Sequence, residues 1–187
     1  MRTILYRVRN THKYGNGVFA ARNIQKGEFI HTLQGKRMTL EQIVSRLCSG
    51  KEAIDDPFQI GRRTYIDLDS ISRTFNHSCD PNGGLRKNGE LFALRDIFKG
   101  EEITYDYSST IAPTDWAMRC KCGSSKCRKI IGDVRSIPKK QLDGYLASGA
   151  VLKYIRPIIK ELRSGRYKLP AYEKRALERL GERKKNI

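Results

Sequence analysis

The chain has 187 residues, with 37 Lys and Arg against 20 Asp and Glu and a formal charge of +17. That length suits one compact domain with an appendage and is too short for two full ones. The charge points to an acidic partner surface or a substrate held near nucleic acid, while no helix-turn-helix or aromatic ribonucleoprotein signature is present to read bases. No apolar run is long enough to span a bilayer, and the N-terminus lacks the apolar core of a secretory signal, so no membrane contact is expected. The expected location is intracellular: cytoplasm or nucleoid for a prokaryotic source, nucleus for a eukaryotic one. In a reduced compartment, the crowding of Cys120, Cys122 and Cys127 into one polar loop argues for a metal rather than disulfides.

Arg2 to Arg9 alternates loosely between apolar and basic residues and reads as an edge strand. Lys13-Tyr14-Gly15-Asn16-Gly17 follows, with two glycines that let a backbone approach a ligand closely or simply turn a hairpin into the strand Val18 to Ala21. Ile24-Gln25-Lys26-Gly27-Glu28-Phe29-Ile30 is a turn entering a strand. Ile97-Phe98-Lys99-Gly100-Glu101-Glu102-Ile103-Thr104 has the same form, an internal near-repeat. Leu40, Ile43, Val44 and Leu47 at helical spacing predict a short helix ending at Ser49-Gly50. Phe58 to Leu68 predicts two strand arms about Gly61-Arg62-Arg63-Thr64, and Leu85 to Arg95 a hairpin about Lys87-Asn88-Gly89-Glu90. Glu102 to Tyr107 alternates sharply, which predicts a strand with Ile103, Tyr105 and Tyr107 on one face. Residues 111–119 read as a polar connector around Trp116.

Beyond Pro138 the pattern turns helical. A short helix is expected through Leu142, Tyr145 and Leu146, a second from Val151 to Leu162 interrupted near Pro157, and a third, very basic, from Ala171 to Arg183. Residues 135–187 carry 15 basic and 5 acidic side chains, more than half of the chain's excess charge.

The chemistry concentrates in Asn76-His77-Ser78-Cys79-Asp80-Pro81-Asn82, where five polar side chain types precede a turn signal. Such groups need partners: a ligand for Asn76 and His77, a metal for Cys79. Cys120, Cys122 and Cys127 form Cys-x-Cys-x4-Cys, one ligand short of a closed tetrahedral zinc site. Cys48 falls at the end of an amphipathic helix, where a thiol is usually a packing residue. Cys79 is therefore the expected fourth ligand, so that one ion ties the loop to the Asn76-His77 turn; the alternative is a zinc loop unconnected to that turn.

Gly15-Asn16-Gly17, the Asn76 to Asn82 run, Gly100 to Tyr107 and the cysteine loop, in that order over residues 6–132, together resemble the SET-domain protein lysine methyltransferases with a post-SET zinc loop, most nearly their compact stand-alone type. The resemblance implies a mainly β fold with short helices (α+β), built of small curved sheets with a C-terminal pseudoknot. A SET catalytic domain would span 1–119, a post-SET zinc-binding loop 120–132 and a basic helical extension 133–187. It implies S-adenosyl-L-methionine held by Lys13, Gly15, Asn16, Gly17, Arg73, Asn76 and His77, with Ile131 over the adenine and Tyr107 near the methyl group. It also implies a structural Zn2+ on Cys79, Cys120, Cys122 and Cys127. The substrate would be a protein presenting a lysine, such as a histone or a basic DNA-associated protein. Tyr107 matches the family's active-site tyrosine, and Tyr105 the position whose Phe or Tyr identity biases methyl number, which with Tyr leads to an expectation of mono- or dimethylation.

Elementary chemistry agrees with that role. A free lysine, with a pKa of about 10.4, is protonated and cannot attack a methyl group. Burial in an apolar, tyrosine-lined channel and repulsion from a sulfonium both lower that pKa, so alignment rather than a dedicated base is what the site must supply. Two departures stand out: Leu33 occupies the place where an active-site tyrosine often sits, with Tyr65 a substitute, and no cysteine-rich segment precedes the domain. The basic extension has three open roles: capping the sheet, forming a homodimer, or docking on DNA or an acidic protein, the DNA case requiring affinity that falls steeply with salt. The competing reading is a catalytically silent SET-like module that binds nucleic acid or chromatin-like protein. A Cys79 nucleophile served by His77 is poor, since nothing in the sequence orients the imidazole.

Overall fold

The computed structural model describes residues 4–12, 15–49, 57–172, 174–175 and 178. Strands β1 (Tyr6–Asn10) and β2 (Asn16–Ala20) form an antiparallel hairpin that closes by a Thr11 N–H bond to the Gly15 carbonyl at 2.7 Å. β1 pairs only with β2 in its sheet and four of its five residues are exposed, as an edge strand requires. β3 (Phe29–Thr32) is followed by β4 (Gly35–Thr39) and helix α1 (Leu40–Cys48). α1 starts where it does because Thr39 and Gln42 cap each other: the Gln42 N–H donates to Thr39 Oγ1 at 3.3 Å and the Thr39 N–H to Gln42 Oε1 at 2.9 Å.

β5 (Pro57–Gln59) and β6 (Thr64–Leu68) are the two arms about Gly61, and β6 lies between β4 and β5 in an insert sheet. β7 (Gly83–Arg86) and β8 (Glu90–Ala93) form the hairpin about Asn88-Gly89, and β8 also takes β3, giving the order β3-β8-β7. The connector at 111–119 is not wholly irregular: β9 (Ala117–Arg119) pairs with β10 (Ile130–Gly132) across the cysteine loop.

α2 (Lys139–Ser148) and α3 (Ile155–Arg163) follow. Pro157 does not interrupt α3. It sits in the first turn, where its missing N–H is one that no carbonyl of the helix would have met. The third expected helix lies largely outside the described residues.

The near-repeat is real in three dimensions. Ile24 and Ile97 exchange both backbone hydrogen bonds, at 2.8 and 2.9 Å. Each turn lends a side chain to the other: the Lys26 N–H donates to Asp96 Oδ1 at 2.8 Å and the Lys99 N–H to Asn23 Oδ1 at 2.9 Å. Arg22 pairs with Glu28 just as Arg95 pairs with Glu101, and Gly27 and Gly100 take the same left-handed conformation, φ +84° and +90°. Residues 21–30 and 94–103 are thus related by a local two-fold through the Ile24–Ile97 contact, both side chains fully buried.

One hydrophobic core runs through the molecule. Val18, Ile24, Leu85, Ile97 and Ile103 share it with Val134, Val151, Leu152, Ile155, Ile158 and Ile159, so the C-terminal helices are packed into the same interior as the sheets.

Candidate active site and metal centre

The stretch Asn76–Ser78 runs parallel to Thr104–Tyr107. The Tyr105 N–H donates to the Asn76 carbonyl and the Ser78 N–H to the Tyr105 carbonyl, both at 3.1 Å, with His77 and Tyr105 as bridge partners. Two isolated bridges, Glu102 with Phe19 and Tyr105 with His77, replace the strand expected over 102–107, and Tyr107 opens a 3-10 turn (Tyr107–Thr110) capped by Asp106. The expected alternation of buried and exposed faces fails here for a physical reason: the intervening polar residues are buried too, Thr104 donating its N–H to Asn82 Oδ1 at 2.9 Å and Asp106 paired with Arg128. Tyr105 and Tyr107 still come together, ring centres 4.9 Å apart. The Tyr107 hydroxyl donates to the Phe75 carbonyl at 3.0 Å, and Phe58 of β5 meets the Tyr105 ring edge-on at 6.5 Å. Burial raises the Tyr105 pKa well above that of a free phenol, with Tyr107 adding to the effect, so its hydroxyl stays neutral.

β2 presents its backbone to the same place. A Cβ on Gly17 would lie 2.4 Å from Glu102 Oε1 and 3.0 Å from Asn76 Nδ2, so only glycine allows Asn76 and Glu102 to press against the strand. Both amide hydrogens of Asn76 are committed, to Glu102 Oε1 at 2.7 Å and to the Asn16 carbonyl at 3.0 Å. An open polar cleft borders this region, lined by His77, Ser78, Glu102, Thr104 and Cys122 among others.

Cys79, Cys120, Cys122 and Cys127 carry free thiols in one neighbourhood. Cys79 Sγ and Cys120 Sγ are 3.7 Å apart, the ligand atoms of His77, Cys79, Cys120 and Cys122 lie within 4.8 Å of one another, and Cys127 sits against the thiols of Cys120 and Cys122. Backbone N–H groups point at sulfur: Arg128 at Cys79 (3.4 Å), Cys122 at Cys120 (3.5 Å) and Lys129 at Cys127 (3.4 Å). Burial raises the pKa values of Cys79 and Cys120, whereas Cys122, its burial outweighed by N–H groups of Cys79 and Ser124, comes down to about 7.

A dication is the group that lets four adjacent sulfurs ionise together. The surroundings fit one: Arg128 is buried against Cys79 with its Nε and Nη1 unpartnered, the donors a thiolate there would satisfy.

His77, whose ring nitrogen lies among these ligand atoms, is the rival fourth ligand, and its hydrogen bonds weigh against it. Nδ1 accepts from the Tyr107 N–H at 3.2 Å, so the ring proton is on Nε2, which faces Cys79 Sγ at 3.3 Å as a donor and has no lone pair to give a metal. Burial pushes the His77 pKa down to about 4, with Asp106 opposing and the Arg128 cation assisting, so the imidazole is neutral.

The SET domain is the family whose sequence profile matches this chain, over residues 15–108. This chain belongs to the SET-domain family. It is 36% identical to the histone-lysine N-methyltransferase ASHH3 of Arabidopsis thaliana, an alignment covering 69% of this chain and 39% of that protein. With the histone-lysine N-methyltransferase Set2 of Drosophila melanogaster it shares 40% identity over 67% of this chain and 6% of that protein. The chain thus spans well under half the length of these relatives. Among solved structures it resembles the methyltransferase domain of human histone-lysine N-methyltransferase SETMAR, with a TM-score of 0.54 and 25% identity over 68% of this chain and 58% of that one.

Within this SET fold, Gly17, Asn76, His77, Tyr105, Tyr107 and the four cysteines converge. Gly15 and Asn16 close the hairpin beside them, and Lys13 lies outside the described residues. Arg73 faces the insert sheet, donating Nε to the Leu68 carbonyl at 2.7 Å and pairing with Asp67. Ile131 is fully buried beneath Cys79 and Cys120, and Ile130 beside it is the exposed one.

Phe58, Glu102, Asp106 and Arg128 are site residues the sequence reading passed over. Position could have flagged two of them: Asp106 separates the paired tyrosines, and Arg128 directly follows the last thiol.

Proposed function

We propose that the protein is an S-adenosylmethionine-dependent protein-lysine N-methyltransferase with a structural zinc. The observation that carries this is the parallel pairing of Asn76–Ser78 with Thr104–Tyr107, which sets a ligand-binding amide and two tyrosines side by side. The names of the Arabidopsis and Drosophila relatives support it.

With both its amide hydrogens committed, Asn76 has its Oδ1 acceptor left for a ligand, beside the Glu102 carboxylate; a carbonyl oxygen next to a carboxylate suits an ammonium such as that of the cofactor's methionine end. Gly17 lets Asn76 and Glu102 sit against β2, which fixes where those two acceptors point. Cys79, Cys120, Cys122 and Cys127 would hold the zinc, a cross-link rather than a reactant. Bound here, S-adenosylmethionine supplies an electrophilic methyl group on a positively charged sulfur.

The chain's own part is to receive a lysine and strip it of water and its extra proton. Tyr105, Tyr107 and Phe58 form an aromatic wall in which an ammonium is poorly solvated, which favours the neutral amine. Tyr107, anchored on the Phe75 carbonyl, fixes the direction of approach, the kind of alignment that lowers a barrier by several kcal/mol. Tyr105 adds a buried hydroxyl that crowds the amine, and the product is mono- or dimethyl-lysine.

The test is cofactor calorimetry on the zinc-loaded protein, followed by labelled-methyl transfer to histones and basic DNA-associated proteins and mass spectrometry of the product. Micromolar binding with label on lysine is expected. Binding without transfer to any protein favours the silent module, and a mainly trimethyl product rejects the assigned multiplicity.

A further inference from the structure

Helix α2 lies beyond both the SET match, which ends at residue 108, and the thiol loop, yet its side chains enter the polar interior of the site. Gln141 Nε2 donates to the Cys79 carbonyl at 2.8 Å and contacts the Tyr145 hydroxyl at 2.6 Å. Tyr145, 7% exposed, donates to Asp106 Oδ2 at 3.3 Å. The other oxygen of Asp106 accepts from Arg128 Nη2 at 2.6 Å and from the Ser108 N–H at 3.1 Å, and lies 3.6 Å from His77 Nδ1.

One set of contacts therefore leads from α2 to Cys79, to Arg128 and to the turn that carries Tyr107. Asp106 caps the turn that carries Tyr107. Arg128 gives its backbone N–H to Cys79. The Cys79 carbonyl is itself held by Gln141. Asp106 and Arg128 are both interior charges, with side chains 1% and 9% exposed. An interior ion pair keeps its geometry only while its remaining polar atoms are met. Among the described residues, Tyr145 is the side chain that meets Asp106 Oδ2. Burial, reinforced by Asp106, raises the Tyr145 pKa far above that of a free phenol, so the hydroxyl remains a donor at any working pH.

We propose that α2 is a positioning element of the active site, with Tyr145 and Gln141 holding Asp106 and the Cys79 turn in the arrangement that binds metal and cofactor. Neither side chain touches a reacting atom; both act through Asp106, Arg128 and Cys79. The cofactor half of this inference rests on the methyltransferase reading, while the metal half rests on the thiol geometry alone.

The experiment compares the zinc-loaded full chain with Tyr145→Phe, Gln141→Met and, as a packing control, Ile159→Val, a trimmed methylene in the buried face of α3. Three quantities are read on each: the rate of zinc transfer to a chromogenic chelator, S-adenosylmethionine affinity by calorimetry, and the urea midpoint. The cobalt-substituted forms add the thiolate-to-cobalt absorption band. Tyr145→Phe and Gln141→Met are expected to speed zinc release and weaken cofactor binding by about tenfold each, the usual size for groups that orient ligands, and to shift the cobalt band. Ile159→Val should lower the urea midpoint and leave the other readouts alone. If Ile159→Val moves zinc release and affinity as far as Tyr145→Phe does, α2 is only scaffold and the proposal fails; it fails equally if both polar variants match the wild type. Faster zinc release in a protein whose unaltered form binds no cofactor would uphold the role at the metal and overturn the methyltransferase reading instead.

Discussion

At the scale of single residues, the site depends on charges and protons kept where water would not keep them. The Arg128–Asp106 pair is interior on both sides, so deleting one partner leaves an uncompensated ion. Asp106→Ala should cost about 3–5 kcal/mol in urea unfolding. Asp106→Ala with Arg128→Met should cost less than Asp106→Ala alone, because the second change removes the stranded cation; a double-mutant cycle with no coupling would contradict this. His77, buried, and His31, half-buried, set a pH dependence of definite sign. His77 is pushed by burial down to about 4, and His31, its ring nitrogens meeting the Tyr6 and Ser72 hydroxyls, is also lowered by burial against the pull of Asp69. An unfolded chain takes up protons near pH 6.5 that the folded one refuses, so stability is full above that pH and declines as pH falls below it. For His77 the slope should approach about 1.4 kcal/mol per pH unit between pH 6.5 and about 4, and His31 adds in the same direction. Urea midpoints at pH 7.5 and 5.5 measure the loss, His31→Gln should remove part of it, and imidazole NMR shifts should show the His77 ring neutral at pH 6.

At the scale of elements, the two-fold about Ile24 and Ile97 makes a prediction that no single contact does. Asn23 and Asp96 play one role, each receiving the N–H of the other turn's lysine. Asn23→Ala and Asp96→Ala should therefore cost nearly the same, about 1 kcal/mol each. Ile24→Ala and Ile97→Ala, at the fully buried axis, should cost about 2–5 kcal/mol each, again as a matched pair, in equilibrium unfolding. This repeat was legible in sequence because both copies keep Lys-Gly-Glu, a local turn signal. The hairpins about Gly61 and Asn88-Gly89 were legible for the same reason: their turn chemistry is written in adjacent residues. The cysteine spacing gave the loop, and the choice of Cys79 over the helix-end Cys48 gave its expected anchor. What stayed hidden depends on distant contacts. Glu102 to Tyr107 has the alternation of a strand, yet partners on both sides bury it, so the pattern could not report two isolated bridges, one antiparallel and one parallel, and a 3-10 turn. Pro157 looked like a break because sequence did not fix the helix start at Ile155. The contact of Gln141 with Cys79 spans 62 residues and has no local signature.

At the scale of the whole molecule, the thiol centre and the polar contacts around it tie together three parts of the chain that also share apolar packing. Cys79 belongs to the turn beside Tyr105, the other three thiols to the loop between β9 and β10, and Gln141 draws α2 onto the same turn. A metal bound by the folded chain and not by the unfolded one adds its binding free energy to stability, of order 10 kcal/mol for structural zinc. Without the metal, burial favours protonated Cys79 and Cys120, and the N–H groups aimed at sulfur lose their anionic acceptors. Chelation should therefore act in two places at once. The thermal midpoint should fall, and cofactor affinity should fall with it, because the loop, Ile131 and the Asn76–His77 turn lose their common anchor. Restoring zinc should recover both, and Cys127→Ser should reproduce the chelated state whereas His77→Asn should keep zinc at one equivalent by elemental analysis, since the imidazole donates to a ligand rather than serving as one. Loss of zinc from the His77 variant with retention in the Cys127 variant would reverse the assignment and make the centre one imidazole and three thiols.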